Sequence, residues 1–228
     1  MPRFTEYEQR HLDSLDQLEN SPGVQVFHSN SGPFEESVGD APATFAKIFT
    51  WEGVHLDPEL QRCFLRFDKI EVHWAIQNPD FHMFGRFSLH HLAAAILTTG
   101  AEVEDEYLTE EELRIASELR IFDNPDSSDD GEFAALRIPF GVTSPEVWYH
   151  NPSFGLFEMD LDYCGYLDAL LVTKGVYGWQ FLFADVNLRE PLFTGVVQSL
   201  KRAFKVFPRV FPDHDYGPLE KRMTERFR

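Results

Sequence analysis

Asp126, Ser128, Asp130 and Gly131 fall at the spacing with which an EF-hand loop presents its first, third, fifth and sixth positions to calcium. That chemistry needs oxygen ligands around a sharp turn and a bidentate glutamate at the twelfth position. The twelfth position is Arg137 and the ninth is Ala134. A cation thus stands where calcium needs its strongest ligand. A helix should also follow. Instead "EFAALRIPF" alternates as a strand, with Phe133, Ala135, Arg137 and Pro139 on one face. The stretch reads as an acidic turn between two strands, with Asp130-Gly131 as hairpin chemistry. No metal is expected there.

His73, His82, His90 and His91 are the next candidates. A zinc site needs imidazoles converging at about 2 Å from one ion. Adjacent His90 and His91 point to opposite faces of a strand. His82 could meet one of them across a hairpin. HExxH, GxSxG, SxxK, GxGxxG and the P-loop are absent from the chain. The histidines are therefore expected to be structural or superficial. No catalytic residue, metal or cofactor is assigned. An uncharacterised metal-dependent hydrolase, using His82, His90 or His91 with a carboxylate, stands as a second alternative to the readings below.

The charge speaks more directly. The 228 residues carry a formal net charge of −18. Nucleic-acid binders need cations facing phosphates, and anionic membranes repel such a chain. A basic protein partner would be attracted. From Glu102 to Glu132 there are 13 acidic and 2 basic residues, and from Gln198 to Arg228 there are 8 basic and 4 acidic. The candidate binding residues are Glu102, Glu104, Asp105, Glu106, Asp126, Asp129, Asp130 and Glu132, taken as one acidic patch. Trp74 and Trp148 are candidate aromatic anchors beside it.

The elements that must position these residues follow from periodicity and caps. Thr5 with Glu8 and Thr109 with Glu112 have capping-box spacing. Asp57-Pro58 opens a helix. "IEVHWAI", "FGRFSLHHL", "FAALRIPF" and "EVWYH" read as strands, "VQVF" as a short one, and "AAAILTTG" as either strand or helix. The run "SNSGPFEESVGDAPA" reads as a breaker-rich loop. "DLDYCGYLDALLVTK" is a helix ended by Gly175. "LFTGVVQSLKRAFKVF" is an amphipathic helix ended by Pro208, and a final helix closes the chain. This order predicts an α+β fold: a mostly antiparallel twisted sheet, helices packed on one side, and a C-terminal helical extension. Cys63 and Cys164 lie far apart in helix-like patterns and are expected to be buried free thiols. No apolar run reaches transmembrane length and no leader is apparent, so the expected address is the cytoplasm.

"LDPELQRCFLRFDKIEVHW", "GRFSLHHL", "LRIFDNPDSSDDGEFAALRIP" and "PEVWYHNPSFGLFEMDLDYCGYLDALLVTKG" together resemble SUKH-superfamily domains. In that family an acid-Pro helix start leads to a strand carrying Trp, an acidic Asp-Gly hairpin leads to a core strand, and an aromatic strand precedes an apolar helix. The likeness covers roughly 57–174. The family's turn before the Trp strand is usually Asn-Gly or Asp-Gly and here is Asp68-Lys69. The resemblance implies three segments: an N-terminal extension at 1–52, a SUKH-like domain at 53–175 and a C-terminal helical extension at 176–228 on the same core. It implies a non-enzymatic, bacterial immunity protein that binds and occludes a cognate toxin, basic and often a nuclease. The first alternative is a scaffold or regulatory protein, in which the N-terminal helix and an exposed stripe on Leu192–Phe207 make a homodimer or partner groove.

Overall fold

A computed structural model describes residues 3–35, 39–78, 81–97, 109–125, 131–139 and 141–227. The chain folds as α+β. In order come α1 (Glu6–Asn20), β1 (Val24–Ser31), α2 (Ala41–Glu52), β2 (Lys69–Asn78), β3 (Phe81–His90), α3 (Leu92–Leu97), α4 (Glu110–Glu118), β4 (Leu119–Asp123), β5 (Phe133–Arg137), β6 (Glu146–Asn151), β7 (Gly155–Met159), α5 (Tyr163–Thr173), α6 (Thr194–Val210) and α7 (Gly217–Arg226). The strands form one seven-stranded antiparallel meander in the order β1 to β7.

Alternation decides what each face buries. On β2, Ile70, Val72, Trp74 and Ile76 point inward, and the main core gathers them with Leu167 and Leu170 of α5, Leu200 and Phe207 of α6, and Met223 of α7. The C-terminal helices therefore belong to the same core. On the reverse face of β4 to β6, Leu119, Phe133 and Ala135 make a small second cluster with Ile115 of α4.

Two glycines set the spacing between layers. Gly85 lies opposite Trp74 in the β2–β3 register, and a Cβ there would stand 2.5 Å from the indole ring. Gly175 follows Lys174, the left-handed C-cap of α5, and is itself left-handed. A Cβ at Gly175 would meet the Arg86 carbonyl oxygen at 2.6 Å.

Several expectations need correction. Cys63 and Cys164 form a disulfide rather than free thiols. Cys63 ends the 3-10 turn Pro58–Cys63, Cys164 lies in the first turn of α5, and their Cα atoms are 5.4 Å apart. Such bonds persist in oxidising surroundings, at odds with a reducing cytoplasm. Pro208 does not end α6: it sits in the last turn, and the helix closes with the Phe211 N–H donating to Phe207 O. The expected 29–43 loop begins inside β1, whose last residues are Ser29 to Ser31, and contains the start of α2, capped by Asp40. "AAAILTTG" begins as the helix α3. Strand β4 is the partner that the expected Asp-Gly hairpin required, whereas β7 joins the sheet where no separate strand was expected. Among the described residues no helix is long and apolar enough to cross a membrane.

Candidate interaction surface

The surface on which the expected patch would lie is built from α4 and the hairpin of β4 and β5. Thr109 and Glu112 form the capping box: the Glu112 N–H donates to Thr109 Oγ1 at 3.2 Å and the Thr109 N–H to Glu112 Oε2 at 2.8 Å. Glu110, Glu111 and Glu112 then occupy the first turn, where the helix dipole favours them. Ile115 anchors the helix on the reverse-face cluster.

Around that anchor runs a ladder of ion pairs. Arg114 holds Glu111 at 2.5 Å, and Arg137 donates to Glu118 at 2.7 Å and to Glu146 at 3.1 Å. Trp148 donates its indole N–H to Glu146 at 3.0 Å, and the Arg137 guanidinium lies 5.6 Å from its ring centroid. Trp148 is half-buried, so part of its ring is presented with the ladder. Arg137, the residue at the would-be twelfth calcium position, is committed to two carboxylates.

The other expected anchor and one expected acid lie inside. Trp74 has no exposed surface, and its indole N–H bonds Lys174 O at 2.7 Å. Glu132 is 7% exposed. It accepts from Tyr149 Oη at 2.6 Å and pairs with Arg86 at 2.8 Å. Beside it Asp123 accepts from the Ser88 N–H and Tyr166 Oη, each at 2.7 Å. Burial pushes the Asp123 carboxyl up to about 6, with Glu132 adding to the rise, against the bonds from Ser88 and Tyr166. These groups fasten the hairpin to α5 and present nothing to a partner. Glu132 looked superficial because its neighbours in sequence are acidic, and only the pairing of β5 with β6 turns it inward. Glu102, Glu104, Asp105, Glu106, Asp126, Asp129 and Asp130 lie outside the described residues.

The histidines do not converge. His82 and His90 occupy opposite ends of the same strand, β3, and pair with Gln77 and Lys69. At about 3.3 Å per residue they are separated by roughly 26 Å. His91 is buried, its Nδ1 accepts from the Ala93 N–H at 3.1 Å, and its ring sits edge-on to Phe64. His73 packs against Phe27. Among the described residues no three His, Cys, Asp or Glu side chains are grouped to hold a metal. The apolar stripe of α6 is buried at Val196, Val197, Leu200 and Phe207, so that face is not available as a partner groove.

Two concavities were not foreseen. One, of about 520 Å³, lies between the starts of α1 and α2 and includes Tyr7, Arg10, Arg62 and Arg66. Its guanidiniums are neutralised: Arg66 by Glu8 at 2.6 Å, Arg62 by Asp162 at 3.4 Å, and Arg10 by Asp168 at 3.5 Å. The other is a groove between α1 and β1. Its sequence signal was the run of Ser29 and Ser31 at strand spacing, where an edge strand turns hydroxyls rather than apolar groups toward a helix.

No protein-family model matches the chain, and neither a curated protein nor a solved structure matches it.

Proposed function

We propose that this is a non-enzymatic binding protein whose acidic surface meets a basic macromolecular partner. The observation that carries this reading is where the cations go. Arg10, Arg62, Arg66, Arg86, Arg114, Arg137, Arg222 and Arg226 are each ion-paired within the fold. Asp16, Glu19 and Glu110 have no cation partner among the described residues. These eight arginines stitch the chain together, while Asp16, Glu19 and Glu110 face outward. Such a field speeds the approach of a basic partner and disfavours acidic ones.

The SUKH resemblance supports the finer reading: an immunity protein that occludes a nuclease-type toxin. In sequence the acidic run at 102–106 precedes the acidic first turn of α4, and 126–130 fall between β4 and β5. Trp148, on neighbouring β6, supplies an aromatic contact beside them. The scaffold reading has lost the exposed α6 stripe on which it rested, and for the hydrolase reading, one of His82, His90 or His91 with a carboxylate, no group of three His, Cys, Asp or Glu gathers among the described residues.

The test is capture from the native host's lysate at low salt, elution in a salt gradient, and titration with the purified partner. One basic protein released at moderate salt is expected, with affinity reduced by Asp129→Lys combined with Asp130→Lys. If this partner has nuclease activity, stoichiometric addition should abolish it. A partner whose affinity ignored both salt and charge reversal would sink the proposal.

A further inference from the structure

The outer edge of β1 is open. The strand pairs with β2 on one side, and no strand pairs with it on the other among the described residues. Proteins usually guard such an edge with charge, proline, bulges or a cover, because unpaired backbone groups recruit another chain. The sequence VQVFHSNS has no Asp, Glu, Lys, Arg or Pro. Its one irregularity is a bulge at Phe27, and from His28 to Ser31 the pairing is regular again.

Beside this regular half lies a groove. Ser29 and Ser31 stand opposite Val72 and Ile70, which places them on the buried face, toward α1. Their short side chains leave a cavity of about 400 Å³ against Leu12, Asp16 and Glu19 of the helix. Asp16 and Glu19 are exposed. At Leu12 and Ser31 the groove joins a second cavity of about 440 Å³, walled by Phe4, Pro33, Phe34 and Phe67. Phe4 stacks on Phe67 at 5.8 Å and meets Phe34 edge-on at 5.6 Å. Phe4 is nonetheless 44% exposed, an aromatic wall left open to a guest.

Strand edge, acidic wall and aromatic pocket follow one line. Leu12 and Glu19 are seven residues apart on α1, about 10 Å along its axis. A strand covers that distance in about three residues, and its side chains return to one face every second residue, about 7 Å apart. We propose that this groove binds an extended peptide of a partner protein. The peptide adds to β1 as a further strand. It seats a large apolar side chain against Phe4, Phe34 and Phe67, and turns a lysine or arginine, two or four residues away, toward Asp16 and Glu19. Backbone pairing supplies affinity and the two side chains supply selectivity. This site rests on α1 and β1 and stands whether or not the acidic hairpin surface binds a toxin.

The probe is an array of synthetic octapeptides, with every large apolar residue at one position and Lys, Arg, Ser or Glu two or four residues away in both chain directions. The expected hits pair an apolar residue with Lys or Arg. Fluorescence anisotropy of the best hit should then show saturable binding. Asp16→Lys with Glu19→Lys should weaken it about tenfold or more, and Glu111→Lys on α4 should leave it unchanged. N-methylating alternate peptide amides should abolish binding for one alternate set and spare the other, as strand addition requires. Both altered acids are exposed, and matching thermal melts will show that the fold is kept. The proposal is overturned if no octapeptide binds, if binding ignores both N-methylation and charge reversal, or if sedimentation shows β1 occupied by a second copy that no peptide displaces.

Discussion

The indole nitrogen of Trp74 donates to the carbonyl oxygen of Lys174, the left-handed residue that closes α5. This one bond joins the middle of β2 to the end of a helix a hundred residues later in the chain. It satisfies a carbonyl that the helix cannot. It also fixes the indole over Gly85, where there is no side chain to displace it.

Trp74→Phe should therefore cost about 2–4 kcal/mol, combining lost burial with an unpaired buried carbonyl. Gly85→Ala should cost at least as much as a typical overpacking change, about 1–3 kcal/mol, because the new methyl meets the ring itself. Urea unfolding midpoints measure both. In the double variant Gly85→Ala with Trp74→Phe the two losses should be less than additive, since the smaller ring makes room for the methyl.

The disulfide links residues 101 apart and both sulfur-bearing residues are fully buried. Native protein should resist alkylation even with reductant present, and both cysteines should label once denaturant is added. Cys63→Ala with Cys164→Ala should lower stability by about 2–5 kcal/mol, mainly because the unfolded chain regains its loop freedom. Mass spectrometry reads the labelling and calorimetry reads the stability.

Lys174 Nζ donates to Ser14 Oγ at 2.8 Å and Gln17 Oε1 at 2.7 Å, and lies 5.6 Å from the Phe211 ring, with no carboxylate partner among the described residues. Burial lowers its pKa from 10.5 to about 7. Between those values the unfolded chain holds a proton that the folded chain has released. Stability should therefore rise as pH increases from about 7 toward 10. The buried tyrosines oppose this near pH 10, so the difference between wild type and Lys174→Met isolates the amine. Melting temperature should climb with pH in the wild type relative to the variant. A constant difference across that range would show the amine already charged in the fold.

His11 is buried beside Tyr7, and burial lowers its pKa to about 3, with Arg10 and Lys174 adding to the fall. The folded chain then refuses a proton that the unfolded chain accepts below about pH 6.5. Stability should fall as pH drops from about 6.5 toward 3. His11→Phe should flatten that part of the profile in acid-dependent thermal melts.

Glu132→Ala should behave as a core change rather than a surface one. It removes the carboxylate that pairs with Arg86 and accepts from the Tyr149 hydroxyl, at a cost of about 3–5 kcal/mol for a broken buried pair. Denaturant melts should show that loss.

What the sequence determined on its own was local. The capping boxes Thr5–Glu8 and Thr109–Glu112 close within four residues, and both helices begin where those spacings say. The alternation of Ile70, Val72, Trp74 and Ile76 needs only the two-residue period of a strand, and β2 buries that side. The α+β order followed from such signals in series. Even Asp40 before Ala41-Pro42 was a legible cap, hidden among neighbouring breakers. What only the tertiary structure decided were relations between distant residues. The pairing of β5 with β6 turned Glu132 from an acidic surface toward Tyr149 and Arg86. The meeting of the Pro58–Cys63 turn with α5 made a disulfide of two isolated cysteines. The packing of α1 over an edge strand made a groove from two serines and two acids. Local pattern fixes backbone conformation and facing, but charge, reactivity and exposure depend on which partner arrives from elsewhere in the chain, and that is set by the packing of the whole core.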